Sequence, residues 1–195
     1  MLELLRSSIV RFYCMDMMDI VWLGLLASCV YLAFCSMFQH KLWWKSIVLV
    51  GLVCFLAIVI YVTLMNRSGD HTQIPQLIPF HTYRHVRNGG HPDTYRSNFM
   101  NAALFYPAGL LAVTLLPKKW PAWGRCLLVV LLLCAMSAGI EFLQYRFSLG
   151  QVEIDDVIHN TLGALTGSAV GLLVPYLFRV IKEKLAGCLS ADVKQ

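Results

Sequence analysis

Five apolar runs, at residues 20–38, 46–65, 98–116, 125–144 and 154–181, constrain this chain more than anything else in it. A segment in hydrocarbon has no water to satisfy its peptide groups, so an apolar run that crosses a bilayer must be a helix or belong to a closed barrel. At 1.5 Å per residue, a helix of about 20 residues spans the roughly 30 Å hydrocarbon core. The runs have about that length. The expectation is an all-α integral membrane bundle of about five transmembrane helices. Composition agrees: hydrophobic residues make up 58% of the 195 residues, charged residues 14%, and mean hydropathy is +0.63. One bundle uses the whole length, leaving no room for a second core.

The formal charge of +5 does not mark a nucleic-acid partner, because the basic residues are spread over loops and tail without a stripe of interleaved aromatics. They read as topology signals. Residues 41–45, the 118–125 turn and the tail from Arg179 onward hold nine of the sixteen lysines and arginines in short segments, which places them in the cytoplasm. The other loops, with seven, then face outward. Trp43, Trp44, Trp120 and Trp123 beside the lysines are what a membrane interface selects. The seven cysteines match no disulfide or metal spacing and read as small hydrophobes.

Residues 1–19, with Glu3, Asp16 and Asp19 and no cleavage-like site, read as an amphipathic or flexible leader rather than a signal peptide. Residues 20–181 form the bundle, and 182–195 a basic cytoplasmic tail. The connector at 66–97 carries Pro75, Pro79, Pro92, four arginines and four of six histidines, without a helical or strand period. Loops this long are functional or disordered, and the apolar patch at 74–80 argues for function and for packing on membrane or bundle. Pro107 and Gly109 sit mid-span and are expected to kink the third helix.

Between the last two runs lies a polar stretch, residues 137–171, and the question of function is why it is there. Ser137, Glu141 and Gln144 are spaced to share a helix face. A carboxylate facing lipid costs at least about 2.5 kcal/mol, so Glu141 should turn into the bundle, with Gln144 or a serine as donor. Asp156 and Asn160 stand one turn apart, and Gly163, Gly167 and Gly171 continue nearly the same face. Small residues at this spacing let another helix approach closely, here the fourth span if the contact lies within the chain. Asp155 and Asp156 also suit the positive end of the helix dipole. With Arg67 and Asn101 the expected binding cluster is Arg67, Asn101, Glu141, Gln144, Asp155, Asp156 and Asn160, all at one bilayer face. The competing reading is capping and packing alone. Asp155 and His159 are two metal-type ligands without a third, so no metal is assigned, and a solvent-touching His159 is the simpler expectation.

Residues 60–172 resemble the VanZ-like family, named after a teicoplanin-resistance accessory protein of enterococci. The resemblance rests on residues 63–67, on L-I-P-F at 77–80, on N-x-x-x-F-x-P-x-G-L-L from Asn101, on S-x-x-x-E-x-x-Q from Ser137, and on I-D-D-x-x-x-N-T-L-G-A-x-x-G from Ile154. Three positions depart from the family's habit: Gln151 stands where a basic residue is frequent, Glu153 where Asp is, and His159 where an apolar residue is. The resemblance implies a multi-pass protein of the cell membrane in mostly Gram-positive bacteria, some members of which lower susceptibility to teicoplanin-type antibiotics. It carries over no catalytic residue and no cofactor.

Three functions compete. The cluster binds an envelope component, such as a lipid-linked cell-wall intermediate or the lipoglycopeptide itself. Alternatively the chain is a membrane-embedded hydrolase or transferase acting on lipid-linked intermediates, with Asp155 or Asp156 as base or metal ligand and Arg67 opposite the substrate's charge. No nucleophile elbow, P-loop or zinc signature supports that enzyme. A scaffold that uses the glycine face for a partner helix is the third.

Overall fold

A computed structural model describes residues 16–38, 42–65, 75–89 and 93–192. Among these residues six α-helices follow in order: α1 Met17–Phe38, α2 Leu42–Ile60, α3 His81–Arg87, α4 Asp93–Leu115, α5 Ala122–Phe147 and α6 Ile154–Asp192. A π-helical turn, Tyr61–Met65, continues α2. All but α3 are long and apolar enough to cross a membrane, so the chain is a multi-pass helical membrane protein. Large apolar side chains remain exposed along these helices, among them Leu26, Val50, Leu132, Phe142 and Phe178, which is the surface a bundle offers to lipid.

The apolar core is narrow. Val59, Phe105, Ala108, Val113, Val129, Leu133, Ile140 and Ala164 are buried against one another, from α2, α4, α5 and α6. At its centre α4 and α6 meet backbone to backbone. A Cβ at Gly163 would run into the Ala102 carbonyl oxygen, one at Gly167 into that of Tyr106, and one at Gly171 into the Val113 side chain. Contacts thus advance together along both helices, which therefore run parallel with α5 between them in sequence. From the other side, a Cβ at Gly109 would strike the Ala164 carbonyl. Such closeness permits Cα–H···O contacts, and the Ser168 hydroxyl adds a bond to the Gly109 carbonyl at 3.3 Å. The glycine face thus meets the third span, not the fourth. Gly109 adds to the closeness, because it brings no Cβ against the Ala164 backbone.

α1 leans on α4 through hydroxyl pairs, Ser28 with Tyr106 at 2.8 Å and Tyr31 with Thr114 at 2.6 Å. Pro107 sits inside α4, which runs on as helix to Leu115. Two sequence expectations change. α6 extends past the expected end at 181 to Asp192, into the stretch read as a tail. The connector contains a helix, α3, that its sequence pattern did not announce. Most of the leader, residues 1–15, and residue 67 lie outside the described residues.

Candidate functional site

The polar residues gather where α2 and α5 end and where α4 and α6 begin. On α5, Ser137, Glu141 and Gln144 are all buried, as their spacing required. Asp155, His159 and Asn160 on α6 and Asn98 on α4 are buried with them.

Asp155 is 1% exposed, and its carboxylate accepts the backbone N–H groups of Phe80 at 2.5 Å and Thr82 at 3.0 Å. These are the first donors of α3, whose own cap residue, Phe80, is left-handed at φ 59° and has no side-chain oxygen to offer. A carboxylate from another helix therefore caps α3, and its charge also complements the α3 dipole. One residue earlier, the backbone of 75–80 joins the entry of α6: Gln76 N–H donates to Val152 at 2.9 Å, and Ile154 N–H to Gln76 at 3.0 Å.

His159 completes the clamp. Its Nδ1 lies 2.6 Å from the Asp155 carbonyl, and a carbonyl can only accept, so Nδ1 carries the hydrogen. In the neutral ring, Nε2 then accepts from the Tyr83 hydroxyl at 2.8 Å. At 6% exposure His159 is buried rather than solvent-touching, because α3 lies over it. Among the described residues, no three His, Cys, Asp or Glu side chains come together as a metal set requires.

The remaining expected residues pair across helices. Asn101 Nδ2 donates to Asp156 Oδ1 at 2.6 Å, joining α4 to α6. Asn160 Nδ2 donates to Ser137 Oγ at 2.9 Å, joining α6 to α5. Glu141 Oε2 accepts the Glu153 N–H at 3.1 Å, so its donor is the backbone leading into α6. Gln144 Nε2 donates to the Thr63 carbonyl in the π-helical turn at 3.0 Å, where Thr63 Oγ1 donates back to Val59 at 2.8 Å. The three carboxylates thus reach three different partners around one end of the bundle. Arg67, the expected cation, lies outside the described residues.

Four buried side-chain polar atoms have no hydrogen-bond partner among the described residues: Gln144 Oε1, Asn160 Oδ1 and Asn98 Nδ2 lie at this end of the bundle, and Arg125 Nε lies at the other. The Thr63 carbonyl fixes the Gln144 amide orientation, so Oε1 is an acceptor without a donor among the described residues. Burying such a group costs about 1–3 kcal/mol. Sequence reasoning missed Tyr83 and the Phe80–Thr82 backbone, and only the L-I-P-F stretch could have pointed to them.

A family model described as VanZ/LLP1 matches residues 42–179, from the start of α2 to well inside α6. No curated protein and no solved structure matches the chain.

Proposed function

The chain belongs to the VanZ/LLP1 family, and on that footing we propose that its polar end binds a polar or charged component of the bacterial cell envelope. The component is a lipid-linked cell-wall intermediate or a teicoplanin-type lipoglycopeptide, held at the outer face of the cell membrane, and binding lowers susceptibility to the antibiotic. One observation carries this reading. Among the described residues, buried amides on α4, α5 and α6 have hydrogen-bonding atoms without a partner at the end of the bundle that also holds Glu141 and Asp156. Polar groups buried for packing alone are normally satisfied. A ligand with hydroxyl or ammonium donors complements Gln144 Oε1 and Asn160 Oδ1.

Asp155 supports the site by holding α3 rather than by acting on a ligand. Both its oxygens already accept backbone N–H groups, which weighs against its use as a general base or metal ligand. Asn101 with Asp156, and Asn160 with Ser137, fix the helices that present the amides.

The test is teicoplanin susceptibility in a strain that depends on this protein for its resistance, with Gln144→Leu, Asn160→Leu and Asp156→Asn at matched membrane levels. Loss of resistance with normal abundance is expected for each. Unchanged susceptibility in all three would overturn the reading. Gly24→Ala, at a position with open space around it, is the control that should keep full resistance.

A further inference from the structure

The segment 75–89 does more than close the polar end. Its backbone is tied to residues 152–154, and Asp155 caps its helix, so it is held at the level where the α6 span begins. Tyr83 packs on Tyr95 with ring centroids 5.4 Å apart, and the α4 span begins at Tyr95. The segment therefore lies at the bilayer boundary, with two tyrosines of the kind that mark an interface.

At that level it presents two unlike surfaces. Leu77, Ile78 and Phe80 are 66%, 53% and 52% exposed, an apolar tip that stays largely open among the described residues. Helix α3 behind it reads H-T-Y-R-H-V-R and contains no acid. Arg84 folds back so that its guanidinium donates to the Pro79 carbonyl, which places the charge directly behind the tip. His81 and His85 stack at 6.1 Å, and Arg87 is exposed one turn beyond. In water the tip would be costly to leave open. In a leaflet, the tip meets acyl chains while the arginines stand at phosphate depth.

We infer that residues 75–89 form an interfacial anchor for anionic phospholipid, with Leu77, Ile78 and Phe80 among the acyl chains and Arg84 and Arg87 on the headgroup phosphates. Charge selects the occupant: a basic helix without acids favours an anionic leaflet over a neutral one, by about fivefold for each arginine near the surface. The clamp through Asp155 and His159 then couples the seated lipid to α6. This anchor stands whether or not the polar end binds an antibiotic or a cell-wall intermediate.

The test uses the full-length chain with its seven native cysteines replaced by alanine, Ile78→Cys labelled with bimane, and reconstitution into liposomes. The fluorescence is quenched by phosphatidylcholine brominated in mid-chain, which places position 78 among acyl chains. In mixtures, brominated phosphatidylglycerol quenches in preference to brominated phosphatidylcholine by roughly tenfold or more. Arg84→Gln with Arg87→Gln removes that preference while quenching by phosphatidylcholine persists, which also shows that the variant is still seated. No quenching by any brominated lipid, whether position 78 is open to water or covered by a protein partner, would overturn the inference. Equal quenching by the two headgroups in the unaltered chain would do the same.

Discussion

At the scale of single residues, Asp155 connects the most structure. It stands in the first turn of α6, yet its carboxylate is spent on α3 and its carbonyl on His159. Replacing it with alanine strands two donors at the start of α3. The expected loss is about 2 kcal/mol in thermal unfolding in detergent, and Asp155→Asn, which keeps one acceptor, should lose about half as much. The same variants should let α3 unwind and so become cleavable by trypsin at Arg84 and Arg87 in vesicles; continued resistance to cleavage would show that Asp155 does not hold α3. At the opposite end, Lys118 in the α4–α5 turn has its pKa lowered, first by burial and then by repulsion from Arg179 and Arg125. The folded state therefore binds the proton less readily than the unfolded chain. Stability then rises with pH through the alkaline window between the lowered pKa and the ordinary lysine value, where only the unfolded chain still holds the proton. Lys118→Met should abolish that part of the rise and be more stable than the parent at neutral pH, as melting curves across the window would show.

At the scale of elements, the helices were legible and their partners were not. Lipid forces an apolar run to be helical, so spans expected at 20–38 and 125–144 correspond to α1 Met17–Phe38 and α5 Ala122–Phe147, within a few residues. Helix α3 was hidden because its cap comes from a residue more than seventy positions later, beyond any local pattern. The glycine face showed that some helix comes close. That the helix is α4 shows only in the fold, where Gly163 and Gly167 meet the Ala102 and Tyr106 carbonyls. Among the candidate site residues, the face shared by Ser137, Glu141 and Gln144 was readable from spacing, whereas Asn160 with Ser137 and Asp156 with Asn101 are pairings made by the fold. This gives a contrast to measure. Gly163→Ala and Gly167→Ala push a methyl into backbone oxygens that cannot move away, and each should cost on the order of 1–3 kcal/mol in detergent denaturation. Gly51→Ala, with nothing nearby, should be neutral or slightly stabilising. Equal effects at all three positions would mean that α4 and α6 do not touch as described.

At the scale of the whole molecule, the two ends of the bundle differ in chemistry. One carries Glu141, Asp155, Asp156 and the buried amides, and the other carries Lys45, Lys118, Lys119 and Arg125 with exposed Trp43, Trp120 and Trp123. The proposed function needs the polar end outside, where antibiotics and finished cell-wall intermediates are met. The basic residues favour that orientation by nine to seven, and the margin is narrow because α3 and the start of α4 bring Arg84, Arg87 and Arg96 to the polar end. If that end is an anionic-lipid anchor, those arginines serve binding rather than topology, and the count that sets orientation becomes more lopsided. Single cysteines in a cysteine-free chain can decide the matter. Ser148 lies exposed just beyond α5 at the polar end, and Ala122 opens α5 at the basic end. A membrane-impermeant maleimide added to intact cells should label Ser148→Cys and leave Ala122→Cys unlabelled until the membrane is broken. The reverse pattern would leave the bundle as described but turn the polar end to the cytoplasm. Capture of an extracellular lipoglycopeptide there would then be untenable, because so large and polar a molecule would first have to cross the bilayer.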